Sequence, residues 1–336
     1  MQIETNVPLA PLTTFYIGGV ARYFVRITDT QELQESLDFA RAHNLKVFVL
    51  GGGSNVLIRD EGFDGIVIKI ELKGIVFEKQ DAQTCVIAGA GEMWDAVVVH
   101  AIERDLWGIE NLSGVPGTVG GALVQSIGAY GQAVAQHVQW VEVFDTRTKV
   151  IRTLSVTECA FTYRSSIFKQ EDGRYVVLRG AFLLSSIARP DISYKDLKEH
   201  FKDAQPSLSA VREAVLAIRA AKFPDLNIEG TAGSFFKNPI LNTDAAQMLQ
   251  KIYPDMPTFT LPEAVGVKIP LGWLLDHVLH AKGFSVGGAR LFEKQALVIA
   301  VKRNTHSSDV EELAQIVVQK IQEKTGIVIE CEVKIL

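Results

Sequence analysis

KVFVLGGGSNVL (46–57) is the stretch that decides the fold, because an apolar run typical of a strand ends there in three glycines followed by Ser54 and Asn55. Glycine has no Cβ, so backbone N–H groups in such a loop can approach a phosphate, and the two polar side chains can add hydrogen bonds. The loop is not the dinucleotide-binding pattern G-x-G-x-x-G, since Val56 takes the place of the third glycine and a strand pattern follows. Taken alone, such a loop is more often a turn than a ligand site.

The segments around this loop follow helix and strand patterns in an irregular order. Asp29 and Glu32 form a capping box before a helix, and GIVIKI (65–70) is a strand that arrives without an intervening helix. From residue 74 onward the pattern is mainly that of strands, interrupted by one helix whose apolar face includes Trp94 and Val98. This order predicts an α+β protein rather than strictly alternating strands and helices.

A new group of elements is predicted after Phe223-Pro224, which ends a helix capped by Ser209 and marks a domain boundary near 222–226. The sequence shows no internal repeat and no linker rich in proline, glycine or serine. The elements predicted for this last third are short helices at 243–251 and 272–282, a strand at 296–302, a helix from Ser308 with Glu311 in its capping box, and a final strand at 327–335.

The composition is that of a folded protein of two or three domains. Of the 336 residues, 47% are hydrophobic and 22% are charged, and the net charge is -5. An acidic chain has no general attraction to nucleic acid or to an acidic membrane surface. The N-terminus lacks a signal-peptide pattern, no apolar run is long enough to span a bilayer, and the three cysteines stand far apart. We therefore expect a cytoplasmic protein with no metal, nucleic-acid or membrane partner.

A second glycine-rich segment is GVPGTVGGALVQSIGAYG (114–131), which contains six glycines and lacks the Lys-Ser or Lys-Thr ending of a P-loop. Its ordinary interpretation is a set of tight turns between strands. Glycine weakens regular structure by ~0.5–1 kcal/mol per site relative to alanine, so this density favours a functional surface. A flat cofactor lying against exposed backbone fits such a surface.

Three shorter segments carry polar side chains suited to chemistry. FTYRSSIFK (161–169) sets Arg164 among aromatic residues, where a guanidinium either makes a structural ion pair or grips a carboxylate with its planar fork. AGSFFKNP (232–239) contains Ser234 without the glycines of a nucleophile elbow, so hydrolase chemistry is not supported and a turn cap is the ordinary role. In ECEVK (330–334), strand alternation places Glu332 on one face with its charged neighbours, by default a solvated face.

Together these segments resemble the UDP-N-acetylenolpyruvoylglucosamine reductase (UDP-N-acetylmuramate dehydrogenase) family of peptidoglycan precursor synthesis. No single segment is decisive, and the resemblance rests on all five occurring in order over most of the chain. The segment from Ile192 to Leu197 also resembles the tyrosine loop of the family's first type. The five matching segments are GGGSNVL (51–57), GVPGTVGGALVQSIGAYG (114–131), FTYRSSIF (161–168), AGSFFKNP (232–239) and ECEVKI (330–335).

The resemblance implies an α+β fold with an FAD-binding module of the vanillyl-alcohol-oxidase (PCMH) type in two subdomains, followed by a C-terminal α+β substrate-binding domain. We expect the subdomains at 1–70 and 71–223 and the substrate-binding domain at 224–336, and we leave open whether the last few residues return to the first subdomain. FAD is then bound without a covalent link, which agrees with the lack of histidine in both glycine segments. The residues implied in FAD binding are Gly51, Gly52, Gly53, Ser54, Asn55, Val115, Pro116, Gly117, Gly120, Gly121, Ile127, Gly128, Tyr130 and Arg219.

The family's reaction implies the remaining roles. NADPH, the co-substrate, reduces FAD, and UDP-N-acetylglucosamine enolpyruvate then receives a hydride at C3 and a proton at C2 to give UDP-N-acetylmuramate. By motif, Arg164 and Glu332 clamp the substrate carboxylate and Ser234 donates the proton. Glu332 is expected to be protonated, because two like charges in contact oppose each other's ionisation. The expected enzyme is a monomer, and the residues implied in substrate binding are Tyr163, Tyr194, Lys222, Lys237, Asn238 and Gln295.

Two other functions stay open from the residues alone. One is a flavin oxidase of the same superfamily that uses oxygen and no NADPH, and the motifs around Ser234 and Glu332 argue against it. The other is a catalytically silent protein that binds a flavin or a nucleotide sugar. Such a protein would keep the glycines but would not need Arg164, Ser234 and Glu332 together.

Overall fold

The computed structural model describes residues 1–202, 204–261 and 266–336, which fall into two compact units. The domain boundaries expected after residues 70 and 223 remain predictions. The first unit comprises Met1–Val7, Val20–Gly53 and Phe63–Ala220, and the second comprises Pro8–Gly19, Ser54–Gly62 and Ala221–Leu336.

The elements of the first unit form two large sheets, a short hairpin and their covering helices. The strands are β1 (Ile3–Pro8), β2 (Val20–Ile27), β3 (Lys46–Leu50), β5 (Phe63–Ile70), β6 (Ile75–Gln80), β7 (Gln83–Gly89), β8 (Gly128–Ala129), β9 (Gln132–Ala133), β10 (Val138–Asp145), β11 (Val150–Ser155) and β12 (Tyr175–Ser185). The helices are α1 (Thr30–Ala42), α2 (Trp94–Ile102), α3 (Val119–Gln125), α4 (Ile167–Gln170), α5 (Lys195–Phe201) and α6 (Leu208–Lys222), and a 3-10 turn spans Glu110–Leu112.

The first sheet holds the first glycine loop at the end of β3. Its strand order is β1-β2-β5-β3, and both β2 and β3 pair with β5 in parallel. Parallel neighbours need a long connection, which α1 provides between β2 and β3. The helix start is as predicted, because the carboxylate of Asp29 accepts a hydrogen bond from the N–H of Glu32 at 2.8 Å.

The second sheet is antiparallel throughout, with strand order β11-β10-β12-β7-β6. It agrees with the run of strand patterns expected after residue 74. The helix expected among them is α2, whose Trp94 is fully buried and meets Phe182 of β12 edge-to-face at 5.5 Å between ring centroids. These side chains belong to the apolar core of the first unit.

The second unit combines small sheets with α-helical segments and a 3-10 turn at Ala10–Leu12 in the part of the chain that the structure describes. One sheet has the order β13-β15-β14 and another β16-β17-β18, while β19 pairs in parallel with β4. Its elements are β4 (Val56–Leu57), β13 (Ile240–Leu241), α7 (Thr243–Ile252), β14 (Phe259–Thr260), β15 (Val267–Lys268), α8 (Leu271–Trp273) continued by a π turn at Leu274–Val278, β16 (Ser285–Val286), β17 (Ala289–Phe292), β18 (Gln295–Val301), α9 (Ser307–Thr325) and β19 (Lys334–Ile335).

Three local expectations are wrong. Ser207 caps α6, not Ser209, because the Ser207 hydroxyl accepts a hydrogen bond from the N–H of Ala210 at 3.2 Å. The residue before α9, His306, makes no side-chain cap bond, and the N–H of Ser307 donates instead to the carboxylate of Asp60 at 3.0 Å. Glu311 forms no capping box, since it makes a paired ion contact with Arg59 at 2.7 and 2.9 Å. The strand expected at 327–335 is regular only at Lys334–Ile335, where pairing with β4 supplies the backbone partners.

Asp95, in the first turn of α2, ties two distant segments to that helix. Both of its carboxylate oxygens accept hydrogen bonds from Arg212 of α6, at 2.7 and 2.8 Å, and one also accepts from the N–H of Gly114 at 2.6 Å. Burial alone would raise the pKa of Asp95, but the bonds from Arg212 and Gly114 outweigh it and hold the pKa below its usual value. This carboxylate therefore anchors the start of the second glycine segment.

Asp95→Asn is expected to lower the free energy of unfolding near neutral pH by about 1–2 kcal/mol, a figure discounted for the exposed part of the pair. Because the folded-state pKa lies below the unfolded one, the charged carboxylate stabilises the fold above pH ~4, and this contribution is lost as the pH falls through the folded-state pKa. Urea unfolding of wild type and variant across this range measures the difference. Asp64→Asn, whose carboxylate is 86% exposed, is the control. If the difference in free energy of unfolding between wild type and Asp95→Asn does not change with pH, the charge of Asp95 is not its cause.

Candidate active site

The two glycine segments meet backbone to backbone in the first unit. A Cβ built on Gly52 would lie 2.5 Å from the Cα of Gly117, and one on Gly51 would lie 2.8 Å from the hydroxyl of Thr118. Gly53 and Gly117 also have left-handed backbone, with φ of 66° and 111°. Both segments thus need glycine where they touch, and the result is a backbone surface without side chains on which Gly51, Gly52 and Gly121 are partly exposed.

Lys69 lies beside this surface and was missed by sequence reasoning. It stands opposite Leu50 in the pairing of β5 with β3, and its ammonium donates a hydrogen bond to the carbonyl oxygen of Gly51. Burial lowers the pKa of Lys69. A half-buried cation at the carboxyl end of parallel strands is suited to an anionic ligand. The available signal was the single charge within the apolar run GIVIKI.

The hairpin formed by β8 and β9, residues 128–133, collects several of the predicted site residues. The carbonyl oxygen of Gly128 accepts a hydrogen bond from Nη2 of Arg164 at 2.7 Å, and the Arg164 guanidinium lies 5.4 Å from the centre of the Tyr163 ring. Arg164 itself has left-handed backbone, with φ of 55°. A non-glycine residue in this conformation is strained, so its side chain is aimed by the fold rather than by local preference.

Tyr130, at the tip of the same hairpin, contacts two more predicted residues. Its ring meets that of Tyr194 edge-to-face, at 5.3 Å between centroids. Its hydroxyl hydrogen-bonds Arg219; burial lowers the pKa of the Arg219 guanidinium, and this bond partly opposes that effect. Tyr130 is buried, and its own φ is 49°. The first unit thus brings Tyr130, Tyr163, Arg164, Tyr194 and Arg219 to one hairpin.

The other residues predicted for the first unit line the second glycine segment. Thr118 caps α3 by accepting a hydrogen bond from the N–H of Gly121 at 3.4 Å. A Cβ on Gly120 would lie 3.1 Å from that of Ala90, so this glycine also serves packing. Val115 and Ile127 pack on the core of the unit, while Pro116 is exposed.

The second unit sets Ser234 and Glu332 on neighbouring antiparallel segments. Phe236 and Cys331 form a bridge, and the N–H of Glu332 donates to the carbonyl oxygen of Phe235 at 2.8 Å. Ser234 itself bridges Val298 of β18. Both side chains are partly exposed, so a ligand can reach them.

Asn55, predicted as a phosphate ligand, supports the Glu332 segment in the same unit. Its side-chain amide donates to the carbonyl oxygen of Glu332 at 3.1 Å, and its own carbonyl oxygen accepts from the N–H of Lys334 at 3.2 Å. Ser54 beside it is half-buried. Asn55 thus has a structural role that the sequence pattern did not indicate.

The predicted substrate residues of the second unit have defined partners. Lys237 pairs with Glu330 at 2.9 Å, and the side-chain oxygen of Asn238 accepts from the N–H of Leu271 at 2.9 Å. Gln295 begins β18, and its side-chain oxygen would lie 3.1 Å from a Cβ on Gly272. Lys222, the last residue of α6, is half-buried.

Metal-binding clusters and membrane-spanning helices are absent from the described residues. Within residues 1–202, 204–261 and 266–336, no cluster of three or more histidine, cysteine, aspartate or glutamate side chains is arranged to bind a metal ion. No helix in this described part of the chain has both the length and the apolar character to cross a bilayer.

Comparison with known proteins extends this picture. The model of an FAD binding domain matches residues 21–154, and the model described as UDP-N-acetylenolpyruvoylglucosamine reductase, C-terminal domain, matches residues 225–336. The UDP-N-acetylenolpyruvoylglucosamine reductase of Neisseria gonorrhoeae is 40% identical over 93% of this chain and 91% of its own length. That of Pseudomonas fluorescens (strain Pf0-1) is 33% identical over 99% and 98%. The crystal structure of UDP-N-acetylenolpyruvylglucosamine reductase (MurB) from Thermus caldophilus covers 99% of this chain and 98% of its own, with a TM-score of 0.67 at 24% identity, and shows the shared fold.

The α+β fold and the two matched domains define an FAD-dependent oxidoreductase with a vanillyl-alcohol-oxidase-type module. The glycine surface and the cation of Lys69 fit a dinucleotide cofactor with an anionic diphosphate. The chain belongs to the UDP-N-acetylenolpyruvoylglucosamine reductase family. The family, fold class, enzyme class and FAD cofactor expected from the sequence are thereby confirmed, while the roles of individual residues stay predictions.

Lys69→Met is expected to weaken FAD binding about tenfold, because a half-buried charge–anion contact contributes roughly 1.4 kcal/mol. Riboflavin, which has no phosphate, should bind wild type and variant equally. Titration of the apoprotein with each flavin, followed by flavin fluorescence, gives both dissociation constants. Lys46→Met, exposed at the other end of the same sheet, is the control. Equal weakening for FAD and riboflavin would mean that Lys69 only supports the loop.

Proposed function

We propose that this chain reduces UDP-N-acetylglucosamine enolpyruvate to UDP-N-acetylmuramate with electrons from NADPH, in peptidoglycan precursor synthesis. Membership of the reductase family over 93% of the chain supports the reaction. The observation that carries the proposal is the pairing of the Ser234 and Glu332 segments, because this reaction needs a proton donor and a hydrogen-bonding acid. Neither an oxygen-dependent oxidase nor a silent flavin-binding protein needs that pair.

The first unit is proposed to hold the cofactor without a covalent link. FAD bound there would supply the redox chemistry that links NADPH to the enolpyruvyl group. Residues 51–55 would hold its diphosphate through backbone N–H groups, and Lys69 would add positive charge. Residues 115–130 would accommodate the isoalloxazine ring, and Arg219 would be a further cofactor contact.

Arg164 is proposed to grip the substrate carboxylate. A guanidinium carries five N–H donors in one plane, and two parallel bonds to a carboxylate fix both its position and its orientation. The bond from Arg164 to Gly128 holds that plane in place before the substrate arrives. Negative charge that develops at C2 and on the carboxylate during hydride transfer then meets a preorganised cation.

Ser234 is proposed to donate the proton to C2, and Glu332 to hydrogen-bond the carboxylate in its protonated form. A hydroxyl is a weak acid, so donation requires a strongly basic carbon and a site with little water. The Ser234 oxygen then regains a proton from solvent. Lys222 or Lys237 can stabilise the oxygen anion in the interval, since a nearby positive charge lowers its energy.

The UDP-sugar is proposed to bind through polar and aromatic side chains. The protein itself is proposed to be a cytoplasmic monomer. Lysine suits the nucleotide diphosphate as a compact charge, and the amides suit sugar hydroxyls. Among the described residues the three cysteines are unpaired, in keeping with a reducing compartment. The proposed substrate contacts are Tyr163, Tyr194, Lys222, Lys237, Asn238 and Gln295.

Ser234→Ala separates the two half-reactions. Addition of NADPH should bleach the yellow variant at nearly the wild-type rate, because Ser234 takes no part in flavin reduction. Recovery of the colour on adding the enolpyruvyl sugar should slow by ~10²–10⁴-fold, the usual contribution of a positioned proton donor. Rapid-mixing absorbance measures both steps, with the exposed Ser285→Ala as control. Equal damage to both steps would exclude Ser234 as the donor.

Glu332→Gln should keep much of the activity that Glu332→Ala loses, because an amide N–H can replace the hydroxyl of a protonated carboxyl group. Wild-type flavin oxidation should slow as rising pH deprotonates Glu332, and the Gln variant should not share that loss. The rate of colour recovery against pH for the three proteins provides the measurement. A Gln variant as slow as the Ala variant counts against a hydrogen-bonding role.

A further inference from the structure

Asn111 joins two separate segments of the first unit through one side chain. It lies in the 3-10 turn at Glu110–Leu112 and is fully buried. Its amide nitrogen donates to the carbonyl oxygen of Tyr130 at 2.8 Å and to that of Asp191 at 2.7 Å. A primary amide has two N–H donors, so both are used, one on each segment.

The orientation of Asn111 is fixed by its neighbours. Its backbone N–H donates to the side-chain oxygen of Gln132 at 3.1 Å, and the Gln132 amide donates to Glu110 at 3.1 Å. Glu110 also accepts from the N–H of Gly108 at 2.6 Å. This buried network fixes the backbone from which the Asn111 side chain reaches its two carbonyl partners.

The hydrogen bonding of the Asn111 side-chain oxygen differs from that of its amide nitrogen and bears on the role of the residue. This oxygen is buried and has no hydrogen-bond partner among the residues that the structure describes. An unsatisfied buried acceptor destabilises a fold, so packing alone does not account for an amide at this position. The amide is retained for its two donors.

Both segments that Asn111 holds lead to Tyr194. Residues 187–193 form neither helix nor strand, and Asp191 lies three residues before Tyr194, at the start of α5. The Asp191 carboxylate turns the chain by accepting from the N–H and the hydroxyl of Ser193, at 3.0 and 2.7 Å. Tyr130, on the other segment, supplies the ring on which Tyr194 packs at 5.3 Å.

We propose that Asn111 is a positioning residue that holds residues 187–194 against the 128–133 hairpin, so that Tyr194 is placed for the UDP-sugar before it binds. The inference rests on the proposed function for its substrate. Ordering a loop in advance raises affinity, because the apparent dissociation constant is divided by the fraction of molecules already in the binding conformation. Asn111 thus acts on substrate binding and leaves flavin reduction unchanged.

Asn111→Leu removes both donors with little change of shape. In the FAD-loaded protein without substrate, chymotrypsin should cut after Tyr194 about tenfold faster than in wild type, because the cut requires the segment to leave the hairpin. Cutting after Phe259, exposed in the second unit, is the internal control and should not change. Mass spectrometry identifies both products.

The kinetic arm separates positioning from general damage. Asn111→Leu should raise the KM for the enolpyruvyl sugar about tenfold, change kcat less than twofold, and leave FAD content and bleaching by NADPH as in wild type. The effect should be non-additive with Tyr194→Ala and additive with Lys237→Ala, since only the first pair acts through one contact.

Asn111→Asp covers the case in which the Leu variant fails to fold. A buried, protonated carboxyl group has one donor for two acceptors, so both effects should be intermediate. Unchanged cutting after Tyr194, or additivity with Tyr194→Ala, overturns the proposal. If the protein does not reduce the enolpyruvyl sugar at all, the proposed function fails, and the cutting rates still decide whether Asn111 holds the segment.

Discussion

The contact between Gly52 and Gly117 is the constraint on which the rest of the cofactor site depends. A Cβ at position 52 would lie 2.5 Å from the Cα of Gly117, so only glycine fits there. The contact places the end of β3 beside the residues that begin α3. The ammonium group of Lys69 adds a full positive charge to the weaker partial charges of the backbone N–H groups. The glycines of the two segments, the order of the strands and the half-buried Lys69 thus together form the predicted cofactor site.

The hairpin at 128–133 extends that constraint to the side chains. Its residues are held from several directions, by Arg164 on Gly128 and by Asn111 on Tyr130. The left-handed backbone of Tyr130 and Arg164 costs roughly 1–3 kcal/mol at each residue, and it persists only because the surrounding bonds determine it. Other non-glycine residues, such as Asn6 and Asp81, share this conformation, but at Tyr130 and Arg164 it coincides with side chains predicted to meet a ligand.

The sequence could predict the features that depend on neighbouring residues. It could not predict the hydrogen bonds between residues that are far apart in the chain. The glycine loop after β3, the antiparallel region and α2 follow from patterns within about ten residues. The bond from Asn111 to Asp191 joins residues 80 apart, and nothing near Asn111 in the chain announces it. Lys69 was nonetheless visible as a charged residue within an apolar stretch, and such a residue in a buried setting must have found a partner. That signal identifies a position of interest without identifying its role.

The Glu332 segment shows that the register of strand pairing, more than strand propensity, decides where this predicted acid points. Strand alternation gave the correct period, but regular pairing is confined to Lys334–Ile335, and the stretch before it is held by an isolated bridge between Phe236 and Cys331. A slip of one residue would turn Glu332 to the opposite face. Asn55 prevents that slip, because it bonds both the carbonyl of Glu332 and the N–H of Lys334. A side chain expected to hold a phosphate therefore fixes the direction of an acid, and no count of strand-forming residues could have distinguished the two roles.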